Sequence, residues 1–506
     1  MNGYPDPPKR KMRWIKNPAQ TILPRLLCAL TLLVVSGCTV GPKYHTPTAE
    51  IPAAYKEVGD WKPAQPNDQN LGGDWWEIFQ DPQLNALEKQ VDVSNQNLKA
   101  AEAQYTQARA LLRYYRADYY PTVTAGASAT RERVSQHAPP PGSTFVGITY
   151  NDFALPFNVS YEADVWGRVR ENVESYREQA QASAADLATV NLSMHADLAI
   201  DYYLARSLDA EEQLLNSTVK QYQDALDLIE SRYAGGIASE VEVQQASTQL
   251  ETTRAEAIDV GVARAQYKHA VAILIGKPPA EFSLPALPLV TPPPPIPVSV
   301  PSELLERRPD IAAAERRVAA ANAQIGVAKA AYYPLVDLAA GGGFESTVIT
   351  TLVQGPSGLW AIGLSATETI FDAGRRRAAS DQAIAAYDQT VANYRETVLT
   401  SFQQVEDNVA ALRILEREAQ VQDKAVVAAQ RYLELANTRY TGGVTSYLEV
   451  TTAETAALSD EVTAVNILGR RMVDAVSLVQ ALGGGWDRSA LPVRPECCGK
   501  LTSQLR

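Results

Sequence analysis

Histidine, cysteine and methionine are scarce in this chain, with four of each among 506 residues. His45, His137, His195 and His269 are scattered, and none makes a metal-like pair at helical spacing. No Ser-His-Asp or Cys-His arrangement can be drawn from local signatures. The GGG runs at 341–343 and 483–485 lack the strand–loop–helix lysine context of a phosphate loop. Neither an enzyme nor a cofactor is expected. A basic excess is also missing: 58 acidic side chains face 46 basic ones, for a net charge of −12. That excludes the usual nucleic-acid binder, which needs clustered Lys and Arg against phosphate. The apolar run near the amino terminus, LLCALTLLVV at 26–35, is ten residues long. A spanning helix needs about 20.

What this start has instead is the layout of a secretory signal peptide. Lys9, Arg10, Lys11, Arg13, Lys16 and Arg25 precede the apolar run, and VSGC follows, ending at Cys38. VSGC resembles the lipobox of a bacterial lipoprotein, which implies cleavage of residues 1–37 and lipid attachment at Cys38. Thr39 rather than Asp follows, which in such lipoproteins implies export to the outer membrane. Acyl chains add about 0.8 kcal/mol per buried CH₂, so several of them hold tightly. Residues 1–11 are long for a leader, which leaves Met12 as an alternative start. Loss of six basic side chains and the acid Asp6 takes the mature chain to about −17. The neighbouring Cys497 and Cys498 sit in a polar tail, where adjacent cysteines rarely bridge each other; we read them as incidental.

The rest of the sequence is written twice. RYAGGIASEVEV starts at Arg232 and RYTGGVTSYLEV at Arg439. NLKAAEAQYTQARALLRYYRADYYP, from Asn97, parallels DIAAAERRVAAANAQIGVAKAAYYP, from Asp310. WGRVR at Trp166 parallels AGRRR at Ala373, and AVAILIG ending at Gly276 parallels SLVQALG ending at Gly483. The expected organisation is a signal peptide 1–37, a lipidated segment 38–83, repeat 1 at 84–276, a connector 277–301, repeat 2 at 302–485 and a tail 486–506. Ten of the 25 connector residues are proline, which makes it extended and semi-rigid.

Each repeat holds an interval of 65 residues free of proline and glycine, ending at Arg232 and Arg439. Ala, Leu, Glu and Gln dominate, and apolar or small residues recur at three-four spacing with extra fours, a coiled-coil seam with a stutter. Long helices are expected at 167–232 and 374–439, each about 98 Å long. Return helices are expected at 236–276 and 443–483, about 60 Å each. A shorter incoming helix, about 48 Å at 302–333, would stack end to end with a return helix to match the long one. Between them lie β-hairpins, 121–166 and 334–373. FALPFNVSYEADV at 153–165 alternates apolar and polar, and Trp360, Ile362, Leu364 and Ala366 alternate with small or polar residues. Strands of about ten residues suit a bilayer. Glu368 is expected to end the apolar band, and Pro156 to sit near a rim because it cannot donate to a ladder. Four strands cannot close, and open edges in lipid cost several kcal/mol per unpaired group, so the chain must oligomerise.

These features, with CTVGPKYHTP from Cys38, WWEIFQDPQLNALEKQ from Trp75, LLERRPDIAAAERRVAAANAQIG from Leu304 and LVQALGGGW ending at Trp486, cover nearly the whole mature chain. The sequence resembles the TolC-like outer-membrane efflux factors, in the lipoprotein branch that serves resistance-nodulation-division pumps. The resemblance implies a mainly α fold with a membrane β-barrel portion: a homotrimer with a 12-stranded β-barrel and a 12-helix α-barrel. It implies an outer-membrane channel conducting small molecules passively, with a periplasmic adaptor (membrane fusion) protein, an inner-membrane pump and outer-membrane lipid as partners. A protein-secretion duct on the same architecture and a pore-free periplasmic coiled-coil lipoprotein are the alternatives. Gly235–Gly236 and Gly442–Gly443 supply the tight helix-to-helix reversal at the periplasmic tip. Arg232, Tyr233, Arg439 and Tyr440 are expected to hold that tip, and Glu242 and Glu449 to belong to an acidic constriction. Thr452 stands where some members of the family carry a second acid. The exported compound and the resting state are not encoded in any motif.

Overall fold

The structure is a computed structural model that describes residues 39–57, 73–137, 147–296 and 301–492. The expected signal segment 1–37, the expected lipid site Cys38, connector residues 297–300, and Cys497 and Cys498 lie outside the described residues. In chain order the elements are α1 (Pro82–Ser94), α2 (Gln96–Arg116), β1 (Thr122–Ala125), β2 (Ser128–Arg133), β3 (Thr149–Glu162), α3 (Arg168–Ala234), α4 (Glu240–Leu274), α5 (Pro301–Arg307), α6 (Pro309–Ala330), β4 (Leu335–Ser346), β5 (Gly358–Thr367), α7 (Arg375–Thr441) and α8 (Tyr447–Ala481). Both long helices, α3 and α7, have 67 residues, and both return helices, α4 and α8, have 35. The absence of proline and glycine from the 65-residue intervals allows this length, because nothing interrupts the i→i−4 ladder.

The incoming helix is continuous in neither repeat, against the single helix expected at 302–333 in the second. In the second, Pro309 lacks an N–H and biases Arg308 away from helical angles, so α5 ends and α6 begins there. In the first, Asn95 takes extended angles (φ −63°, ψ 126°), and its Oδ1 accepts from Leu98 N at 3.0 Å to start α2. The two junctions do matching work. Asn95 Nδ2 donates to the Leu274 carbonyl at 2.8 Å, and Arg308 Nη1 donates to the Ala481 carbonyl at 2.9 Å. Each thereby caps the end of a return helix.

The chain divides into two compact units. The first comprises residues 1–44, 112–176 and 320–387 and carries the sheet. Strand order is β1-β3-β4-β5 with β2 continuing β1 along β3, every pair antiparallel. Register lines the apolar residues up in rows. Ala125, Phe157, Gly342 and Trp360 form one, and Val123, Val159, Ala340 and Ile362 form the next. Tyr161, Leu338 and Leu364 form a third. Across these three rows one face of the sheet is thus apolar, while Asn158, Ser160 and Ser365 point to the other; towards the far end of β3 the same face turns polar at Asn151 and Arg131. The apolar face is bare: Trp360 is 79% and Ile362 77% exposed. The strand β5 ends at Thr367, just before Glu368.

Pro156 does not lie near a rim. It sits in the middle of β3, opposite Gly343 of β4, and the outer strand breaks beside it at Gly126–Ala127. A proline has no N–H to give that outer strand, so the ladder is interrupted there and resumes, with Gly126 N donating to the Pro156 carbonyl at 2.9 Å. At the foot of each hairpin an aspartate caps the long helix. Asp164 accepts from Val169 N and Arg170 N, and Asp372 accepts from Gly374 N and Arg376 N. Trp166 stacks on Tyr333 at 4.8 Å and donates to the Pro334 carbonyl. The segment after residue 38 is tied to the same place. Thr39 abuts Gly167 (φ +84°), Val40 N donates to Trp166 O, and Asn322 donates to Pro42 O.

The second unit, residues 45–111, 177–319 and 388–506, is helical and holds most of the core. Trp75 and Trp76 are each 2% exposed, and Trp76 stacks at 4.4 Å on His195, whose ring nitrogens meet Glu88 and Asp92. This histidine is a satisfied core residue. Buried arginines bind the connecting segments. Arg206 reaches Gln83, Asp209 and the Pro285 carbonyl, and Arg316 reaches Glu178, Glu315 and Gln181. Among the described residues no helix is long and apolar enough to cross a membrane, and no cluster could hold a metal.

Candidate functional site

The two helix reversals of the second unit, where α3 turns into α4 and α7 into α8, are built alike. Each long helix ends in a Schellman motif. Ile237 N donates to Arg232 O at 2.8 Å and Gly236 N to Tyr233 O at 2.9 Å. In the second copy Val444 N donates to Arg439 O at 2.9 Å and Gly443 N to Tyr440 O at 3.0 Å. The left-handed position falls on Gly236 (φ +74°) and Gly443 (φ +73°), where a β-carbon would be strained. Gly235 and Gly442 precede them and close the last turn of each long helix, accepting no special angles.

The side chains at corresponding positions then diverge. Arg232 lays its guanidinium over the Tyr440 ring at 4.9 Å, joining the first hairpin to the second. Arg439 turns instead to Glu449 of its own hairpin, at 2.7 Å. Glu242 completes a capping box, accepting from Ser239 N at 2.8 Å while Ser239 Oγ accepts from Glu242 N. Glu449 stands at the matching place but does not cap; it accepts from Arg439 and from the Thr445 hydroxyl, a donor that Ala238 cannot offer in the first copy. Tyr440 is buried and packs on Tyr447 at 5.3 Å, whereas Tyr233 is half exposed. The structure therefore brings Arg232, Tyr440, Arg439 and Glu449 into one patch, leaves Tyr233 outward, and uses Glu242 as a helix cap.

Under this patch lies an apolar knot to which all four helices contribute. Tyr222 and Ile229 come from α3, Leu250 from α4, Ala436 from α7, and Val450 and Ala453 from α8. Two members of the site went unnoticed in the sequence, Tyr447 and Glu454. Their signal was there: Tyr447, Val450, Glu454 and Ala457 follow helical spacing, so the acid lies on the buried seam. Glu454 is 6% exposed, and burial pushes its carboxyl up to about 7. Outside the knot, Ile237 and Val241 of the first hairpin and Val444 and Leu448 of the second are all more than half exposed. A groove of 580 Å³ between α4 and α8 is lined by Val241, Gln244, Thr248, Leu448 and Thr451.

The chain matches the family model of outer membrane efflux proteins over residues 87–277 and 300–484. It is 33% identical over 464 residues to the toluene efflux pump outer membrane protein TtgF of Pseudomonas putida, covering 90% of this chain and 95% of the relative. It is 29% identical to the cation efflux system protein CusC of Escherichia coli, covering 92% and 99%. Among solved structures it resembles the outer-membrane channel OprN, with a TM-score of 0.83 at 30% identity over 89% of this chain and 100% of that one. The Campylobacter jejuni CmeC outer membrane channel gives 0.83 at 25% identity, over 89% and 96%.

Proposed function

From the premise that this chain belongs to the outer membrane efflux protein family, we infer how its parts form the outer-membrane channel of an efflux pump. Relatives serve pumps for toluene, antibiotics and cations, and this chain performs the same class of work, passing small molecules outward. The observation that carries the reading is the sheet. Two of its apolar rows run across four strands and a third across three, and Val123, Phe157, Trp360, Ile362 and Leu364 stand exposed on that face, which suits hydrocarbon. That face also speaks against a pore-free periplasmic lipoprotein.

The sheet has two unpaired margins, β1 with β2 on one side and β5 on the other. Bilayer hydrocarbon leaves such backbone groups unsatisfied at several kcal/mol each, so the margins must pair between copies. Four antiparallel strands per chain let copies join with alternation kept. Two copies give eight strands, too narrow for more than side chains; three give twelve. The working form is a homotrimer, with a 12-stranded β-barrel and a 12-helix α-barrel and two repeats per chain. Lipid at Cys38 anchors it in the outer membrane of a Gram-negative cell. Thr39, the residue that follows Cys38 in sequence, lies beside Gly167 at the foot of the first hairpin, which supports that anchor.

The twin reversals form the periplasmic tip. Their exposed apolar pairs, Ile237 with Val241 and Val444 with Leu448, and the groove between α4 and α8 are the surface for a periplasmic adaptor linked to an inner-membrane pump. Arg232 on Tyr440 and Arg439 on Glu449 hold the tip closed at rest. Transport through it is passive. The test is single-channel recording of the lipid-bearing protein in planar bilayers. Wild type conducts rarely, and Arg232→Ala and Arg439→Ala each raise open probability. A protein that forms no pore, or variants that gate as wild type does, would refute the reading.

A further inference from the structure

Glu454 is the one acid of the α8 seam in the knot, and nothing in the gating contacts above uses it. It is 6% exposed, and its Oε2 has no hydrogen-bond partner. The matching position of the first repeat, Ser247, carries no charge. The groups that face it come from each helix of the knot. On its own helix the Tyr447 hydroxyl is near enough to its carboxyl to favour the charged form. From α3 comes Tyr222, whose hydroxyl also meets Gln249 of α4. From α7 comes Tyr440, its ring tilted against that of Tyr447 and bearing the Arg232 guanidinium. Glu461 and Glu256 act on Tyr222 through space. Among the described residues no lysine or arginine pairs with Glu454.

A carboxylate cannot stay ionised in such a place without a cation or several donors. As a neutral acid it is a tolerable seam residue. As an anion it needs hydration that its 6% exposure in the closed knot does not give, and parting of the two hairpins would supply it. We propose that Glu454 is a proton-operated latch of the tip, neutral and buried when the four helices are closed, ionised and hydrated when they separate, so that closure takes up a proton and opening releases one. This rests on the channel reading above and adds a regulator to it. The sign follows from linkage. Burial holds the closed-state carboxyl at about 7, and a hydrated glutamate titrates at about 4.3. Opening is therefore favoured as pH rises between those values and levels off above the upper one. Tyr447 opposes burial by favouring the anion, so its removal moves the upper value higher.

The experiment is a pH series, from about 5.5 to 8, on the full lipid-bearing channel in planar bilayers, with hydrogen exchange of the segment 440–458 followed in parallel. Wild type gains roughly ten- to fifty-fold in the opening equilibrium per protomer across that range, and exchange in the segment speeds up with it. Glu454→Gln, neutral at every pH and of the same shape, stays near the acid-side value throughout. Tyr447→Phe shifts the midpoint to higher pH. A Glu454→Gln profile that still follows wild type overturns the proposal, as does an unmoved midpoint in Tyr447→Phe. If Glu454→Gln fails to assemble, the Tyr447→Phe midpoint alone decides. A wild-type protein that conducts at no pH refutes the channel reading instead, while pH-dependent exchange in 440–458 still judges the latch.

Discussion

Four glycines end the long and return helices, and the structure separates them into two energetic classes. Gly236, Gly443, Gly276 and Gly483 all adopt left-handed angles, φ +74°, +73°, +70° and +94°. A β-carbon there costs about 1 kcal/mol through the backbone alone. At Gly236 and Gly443 that is the whole effect, because nothing lies within 4 Å of the added atom. At Gly276 it would overlap the Ser94 carbonyl oxygen, and at Gly483 that of Arg307, both backbone atoms held by helix ends. Overpacking adds about 1–3 kcal/mol, so alanine at Gly276 or Gly483 should cost about 3 kcal/mol. The assay is the heat-induced loss of helical circular dichroism in detergent, run on the four single Ala variants. Gly276→Ala and Gly483→Ala should lower the midpoint about three times as far as Gly236→Ala and Gly443→Ala. Equal shifts across all four would refute the close backbone approach at the ends of α4 and α8.

Other expectations are as direct. Arg316→Met withdraws the guanidinium from Glu178 and Glu315, which are 1% and 3% exposed, and should cost about 3 kcal/mol by the same melting assay. Glu171 is pushed up to about 6, first by burial and then by Glu174. An acid raised in the fold contributes stability below its unfolded value that is lost as pH climbs through the folded one. Glu171→Gln should therefore stabilise the protein at pH 8 by about 1 kcal/mol after allowance for its partial exposure, raising the melting point there, and leave it unchanged near pH 4. On the sheet, Ile362→Lys places a charge on the apolar face and should cost about 2–4 kcal/mol, emptying the outer-membrane fraction. Ala361→Lys, one residue away on the other face, should assemble normally in the same fractionation.

Much of this was legible because the duplication repeats its own punctuation. Long intervals free of proline and glycine announced α3 and α7 within two residues of their ends. Period-two alternation announced β3 and β5. Pro156 misled, since its missing N–H was absorbed by a break in the neighbouring strand rather than by a place near the edge. The bend at Asn95 has no proline to mark it; an asparagine that caps both the helix after it and the end of α4 made it, and the second bond joins residues 179 apart. The twin turns were visible, but their different use was not. Arg232 and Arg439 sit in the same words, and only the partner across the hairpins, together with Thr445 in place of Ala238, sends one to an aromatic ring and the other to a carboxylate. Trp76 on His195 is a contact between residues far apart in sequence, beyond the reach of local pattern.

The central claim is that the unpaired margins of the sheet meet those of neighbouring copies and close a ring. A variant with Cys497 and Cys498 changed to serine, carrying Thr124→Cys on β1 and Ser365→Cys on β5, puts one thiol at each margin. Treated with a short bismaleimide in outer-membrane vesicles and run on a denaturing gel, it should give a ladder of one, two and three chains that stops at three. Monomer alone, or bands that climb past three, would contradict the account.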